Sequence, residues 1–93
     1  MASSVITKRS DDNKADYVNL GVASDIGGAW DNLSIVERPV VCRWNASGVC
    51  IGLLFKYNGG QYGMGIGKHY YGSAIQILSV ADGTKTITTV TGT

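Results

Sequence analysis

The sequence predicts an all-β domain, a small antiparallel meander or sandwich of about five to seven strands, and three observations carry that expectation. Gln61-Tyr62-Gly63-Met64-Gly65-Ile66-Gly67-Lys68-His69 alternates a glycine with a large side chain three times in succession. Val49 to Tyr57 puts Ile51, Leu53, Phe55 and Tyr57 on one side of a strand and Cys50, Gly52, Leu54 and Lys56 on the other, since strand side chains alternate with a period of two. These runs are punctuated by Asn58-Gly59, the strongest short hairpin signal, and by the tight turn Ala81-Asp82-Gly83. No window of useful length shows the three-to-four spacing of an amphipathic helix.

Taken in order, residues 1–16 are polar and mixed in charge, with Val5 and Ile6 as the only apolar neighbours. They read as a flexible arm or attachment segment ahead of a β domain over 17–93. Tyr17 to Val22 is a first short strand. Residues 23–32 carry turn residues and read as a loop, with Trp30 as an apolar plug. Between Leu33 and Trp44, Pro39 removes a ladder donor, which leaves an edge strand or two short strands meeting at a bend. Val49–Tyr57 and 61–69 then form a hairpin, Tyr70-Tyr71-Gly72 turns the chain into Ser73–Val80, and Thr84–Thr91 is a last β-branched strand. An open meander has two edges able to recruit other chains. The final segment has low charge and no proline, so either the sheet closes or another subunit covers it.

Gly63, Gly65 and Gly67 fall on one face of their strand and Tyr62, Met64 and Ile66 on the other. Glycine weakens a strand interior and is placed there when something approaches the backbone closely. These three glycines are therefore close-packing or assembly positions, facing a neighbouring sheet, a subunit or a ligand.

Ninety-three residues make one domain. A chain of this size buries only about 60–65% of the surface its unfolded form exposes, so a disulfide, a metal or an oligomer is a natural supplement to its core. The formal charge of +1 offers no electrostatic case for nucleic acid or an anionic membrane. No apolar stretch approaches the roughly 20 residues that span a bilayer. The start, Met1-Ala2-Ser3-Ser4, lacks the apolar region of a signal peptide, so synthesis in a cytosol is expected, a virion protein being consistent with that. A hairpin centred on Ala46 sets Cys42 and Cys50 on facing strands, where a disulfide is conceivable; two buried reduced thiols are the preferred reading. With one histidine these cysteines cannot complete a four-ligand zinc site, and no metal or cofactor is expected.

Catalysis has little to stand on. Gly63-Met64-Gly65-Ile66-Gly67 lacks the dinucleotide spacing and no helix follows it. His69 has no nucleophile or orienting carboxylate placed by a motif. Asp25, Asp31, Glu37 and Asp82 are scattered among turns and strand ends, and two N-x-S matches, at Asn32 and Asn45, lack a secretory context. A small enzyme ranks last. The aromatics offer more: Trp44, Tyr62, Tyr70 and Tyr71 fall near strand ends beside Asn45, Asn58, Gln61 and His69. Flat rings beside amide groups suit a sugar, and the same set equally describes an aromatic cluster that fills the core or stabilises a sheet by cross-strand pairing.

Tyr57-Asn58-Gly59-Gly60-Gln61-Tyr62-Gly63-Met64-Gly65-Ile66 and the later Tyr70–Val80 segment resemble the glycine- and tyrosine-rich β-domains of bacteriophage fibres and receptor-binding tips. The resemblance spans roughly residues 40–91 and is one of texture rather than of a defined motif. It implies a non-enzymatic virion component, homotrimeric, that presents an adhesive surface to host glycans. Residues 1–16 would join it to other virion proteins. A free-standing lectin-like module is the alternative, and no site residue transfers from the resemblance.

Overall fold

Residues 17–92, which the computed structural model describes, hold six strands, one short α-helix and a single 3-10 turn at Asn58–Gly60. The strands are β1 (Val18–Val22), β2 (Val40–Asn45), β3 (Val49–Tyr57), β4 (Tyr62–His69), β5 (Ala74–Ala81) and β6 (Thr84–Thr91), with the helix α1 (Ile26–Asn32) between β1 and β2. They form one sheet whose spatial order is the chain order. From β2 onward every pairing is antiparallel, as a meander requires; β1 lies parallel to β2 because α1 carries the chain back across the sheet. The expected arm over 1–16 lies outside the described residues.

The all-β expectation holds, with one layer corrected. No second sheet completes a sandwich among the described residues; α1 covers one face instead. The segment read as a loop, 23–32, contains this helix. Asp25 caps it, its carboxylate accepting from the Gly28 N–H at 2.9 Å. Ile26, Ala29 and Trp30 on the helix, with Leu33 just after it, are buried against the sheet at helical spacing. The sheet also holds the helix by its end: Gln76 Oε1, on β5, accepts from the Ile26 N–H at 3.0 Å. Trp30 is a plug as expected, 4% exposed.

Pro39 is not inside a strand. β2 begins at the next residue and is an interior strand, so the missing donor falls just before the ladder. The β2–β3 hairpin pairs Asn45 with Val49 and Trp44 with Cys50, so it turns about Ser47 rather than Ala46. Cys42 consequently faces Gly52, and the two cysteines lie diagonally on one face as free thiols. Asp82 and Gly83 take φ of 51° and 77°, the left-handed pair a two-residue hairpin needs, and Ala81 pairs with Thr84 across them.

The inner face explains the glycines. Trp44 lies across Gly52 and Gly67: a Cβ on Gly67 would stand 2.5 Å from its Cη2, and one on Gly52 3.0 Å from its Cζ3. Gly63 leaves room for Trp30 from the helix, and Gly65 for Leu54. What approaches the glycine face is therefore the chain's own core, two tryptophan rings and α1, and not another subunit. Cross-strand rows Val40, Leu54, Gly65, Leu78 and Cys42, Gly52, Gly67, Gln76 form the floor of that core.

Candidate functional site

The side of the sheet away from α1 has no covering layer among the described residues. By strand alternation it presents Val41, Arg43 and Asn45 from β2; Val49, Ile51, Leu53, Phe55 and Tyr57 from β3; Tyr62, Met64, Ile66 and Lys68 from β4; Ile75, Ile77, Ser79 and Ala81 from β5; and Thr84, Thr86, Thr88 and Val90 from β6. Its apolar centre thus lies on β3, β4 and the near half of β5 and gives way to threonines at β6. Three of its central apolar side chains are conspicuously open to solvent: Leu53 is 50% exposed, Met64 62% and Ile66 41%. A row running Val41, Leu53, Ile66, Ile77 crosses four strands without a polar residue. A shallow groove of about 620 Å³ follows this face, bounded at one end by Tyr17, Arg43 and Lys68 and floored by Ile51, Leu53 and Ile66. Single exposed apolar residues are ordinary, but a contiguous apolar patch marks a surface built to meet another one. None of the six strands carries a carboxylate; the strand cations on this face are Arg43 and Lys68, and the carboxylate of Asp82, in the turn after β5, meets the face at Tyr62. Arg43 donates to Asn45 Oδ1 at 2.9 Å.

The residues expected to hold a sugar do not come together. Asn45, His69, Tyr70 and Tyr71 gather at one end of the sheet, where β4 leaves it. Asn58, Gln61 and Tyr62 lie at the other, roughly 23 Å away along β4 at ~3.3 Å per residue. Trp44 belongs to neither: it is 1% exposed, its ring seated on Gly52 and Gly67, and offers no stacking face to solvent. Its Nε1–H is buried with no hydrogen-bond partner among the described residues. Gly63, Gly65 and Gly67, expected as close-packing or assembly positions, serve the first role internally.

The first end has a definite geometry. His69 stacks edge-on to Tyr71 with ring centroids 4.6 Å apart, and Tyr70 meets Tyr71 edge-on at 4.8 Å. The imidazole rests against Gly48, whose bare Cα leaves room for it. The Tyr70 N–H donates to the Val49 carbonyl at 2.9 Å, fixing the turn under the rings. Tyr71 is the most open of the set, 76% exposed. At the far end Tyr62 donates its hydroxyl to Asp82 at 2.6 Å, and this bond holds the phenol proton above the usual range. Tyr62 is thus engaged in tying two hairpin turns together. The Gly83 N–H donates to the Gln61 carbonyl at 2.9 Å in the same junction.

Charged groups elsewhere serve the fold. Lys56 donates to the Leu33 carbonyl at 2.7 Å and sits 5.0 Å from the centre of the Trp30 ring, and desolvation there lowers its pKa. Lys85 bridges β6 to Asp31 of α1 at 2.7 Å. Burial pushes the Cys42 thiol up to about 11, and raises Cys50 by the same cause. No group of histidine, cysteine and carboxylate side chains among the described residues is placed to hold a metal ion. None of the helices described is long and apolar enough to cross a membrane.

The outer face was not named as a site from the sequence, although its signal was present. Ile51, Leu53 and Phe55 alternate with Gly52, Leu54 and Lys56, so β3 is apolar on both sides, which a strand with one wet face is not. Comparison with known protein families, with curated proteins and with solved structures gives no match to this chain.

Proposed function

We propose that this chain is a non-enzymatic structural and adhesive β-module of a virion fibre or a similar assembly, acting by association through the outer face of its sheet. The observation that carries the reading is the uncovered aliphatic row Val41, Leu53, Ile66, Ile77, flanked by Ile51 and Met64. Leaving such a face in water forgoes roughly 25 cal/mol for each Å² that a partner would cover. The test is light scattering of the full chain over a concentration series, repeated with Leu53→Lys. Association in the unsubstituted chain that Leu53→Lys abolishes supports the reading. A monomer at every concentration, with no change in the variant, overturns it.

A second reading, carbohydrate binding, rests on the packed rings of His69, Tyr70 and Tyr71 with Asn45 nearby. An exposed Tyr71 ring held edge-on by two neighbours is a rigid stacking surface, and single contacts of this kind become useful through several copies. A glycan screen of the intact assembly, repeated with Tyr71→Ala, tests it. Binding lost on that change favours the reading; binding retained, or absent from the start, removes it.

A further inference from the structure

We infer that the partner of the outer face is a second copy of this chain, laid sheet against sheet about a two-fold axis that lies in the interface and runs across the strands. The inference rests on the reading that the outer face is an association surface. It goes further in naming the occupant and the symmetry.

Area argues for a partner of the same size. Six strands at about 4.8 Å spacing, averaging about seven residues at about 3.3 Å rise, make a face of roughly 29 by 24 Å, near 700 Å² in projection. A stable complex needs about 800 Å² from each partner, and standing side chains raise the accessible area above the projection. The molecule measures 36 × 33 Å across this plane, so a second sheet of equal extent covers the face without overhang. A single face that meets its own copy pairs chains two at a time, whereas the fibre resemblance implies threes. Sheets stack about 10 Å apart with strands inclined near 30°, and the leucine, isoleucine and methionine side chains here are of a length to meet across that gap.

Charge selects the orientation. Arg43, Ile51, Lys68 and Ile75 form one cross-strand row, and no strand supplies a carboxylate to face its two cations. If strands of the two copies ran the same way, these rows would oppose each other, cation against cation. An axis across the strands turns the second copy end for end. Its Phe55 and Met64 row, with Tyr57 and Tyr62 beyond, then comes under Arg43 and Lys68, where aromatic faces receive the cations. The axis passes along the Leu53 and Ile66 row, and Ile66 of one copy meets the same residue of the other.

The experiment uses the full chain in three forms. Sedimentation and light scattering should give twice the chain mass, and Ile66→Glu should return it to the single mass with an unchanged circular dichroism spectrum. Ile66→Leu should keep the dimer. Ile66→Cys should then be joined by a short bis-maleimide into a covalent dimer, and Val90→Cys, off the axis, should not. Sheets 10 Å apart hold the two sulfurs too far apart for a direct disulfide, hence the linker. Cys42 and Cys50 face the core, and the unsubstituted chain is the control for them. A trimer, a mass that survives Ile66→Glu, or linking at Val90 instead of Ile66 overturns this inference and leaves association standing. A constant monomer overturns both. In that case an unreactive Ile66→Cys thiol would assign the face to the chain's own residues 1–16, and a reactive one to a different macromolecule.

Discussion

A single carbon added at Gly67 would lie 2.5 Å from Trp44 Cη2 and 2.9 Å from the Ile51 carbonyl oxygen, and neither neighbour has room to retreat. The ring is 1% exposed and the carbonyl belongs to a central strand. Gly67→Ala should therefore cost about 1–3 kcal/mol, the usual penalty of overpacking, read as a lower midpoint in chemical denaturation. Met64→Leu, on the open face and near in volume, should fall within about 0.5 kcal/mol in the dissociated chain. Equal losses for the two would remove the argument that Trp44 needs a bare backbone beneath it. Cys42 gives a second residue-scale test. Its folded pKa, about 11, stands above that of an exposed thiol, so the folded chain keeps a proton that the unfolded chain gives up. Its contribution is complete below the unfolded pKa and declines as pH rises through the folded value. The stability gap between the unsubstituted chain and Cys42→Ala should accordingly narrow from pH 8.5 towards 11, and maleimide should label Cys42 only on unfolding.

The element that local reasoning missed is α1, and its chemistry says why. Gly27-Gly28 and a length of seven residues make it too short and too flexible to stand alone. It forms because Asp25 caps its first turn and Gln76, 50 residues away, accepts from Ile26. The first of these was legible in the sequence; the second was not. Removing the cap in Asp25→Ala should cost about 1 kcal/mol, measurable as a drop in Tm. Five strands were legible from their alternation and their turn dipeptides, within a residue or two at each end; β2 was placed in too long a span, Leu33–Trp44, because its apolar residues run on either side of Pro39 and the ladder starts only after it. Which side of each strand faced inward was not, because alternation defines two faces and only the placement of α1 chooses between them. The same ignorance left Trp44 open between a stacking ring at the surface and a ring that fills the core. Its position near a strand end was read correctly, but Gly52 and Gly67, the seat it occupies, become adjacent only once β2, β3 and β4 pair.

At the scale of the molecule, one covered face and one bare face describe half of a two-layer architecture. The two thiols lie in the covered half and are not bridged, so reductant should leave Tm unchanged, where loss of a disulfide would typically remove about 2–4 kcal/mol. A sharp fall on reduction would show a bond between Cys42 and Cys50. Because each strand lies beside its sequence neighbour, the sheet also has a consequence in time. From β2 onward its ladder can close hairpin by hairpin, each step shutting only a short loop, and that favours rapid assembly. The exception is α1, whose partners on β5 and β6 arrive last from the chain: Ile26 awaits Gln76, and Asp31 awaits Lys85, 54 residues on. The helix should thus seat itself after the barrier has been crossed. Stopped-flow kinetics of Asp25→Ala should show refolding at the unsubstituted rate and unfolding about five-fold faster. A slowed refolding arm instead would place the helix within the nucleus.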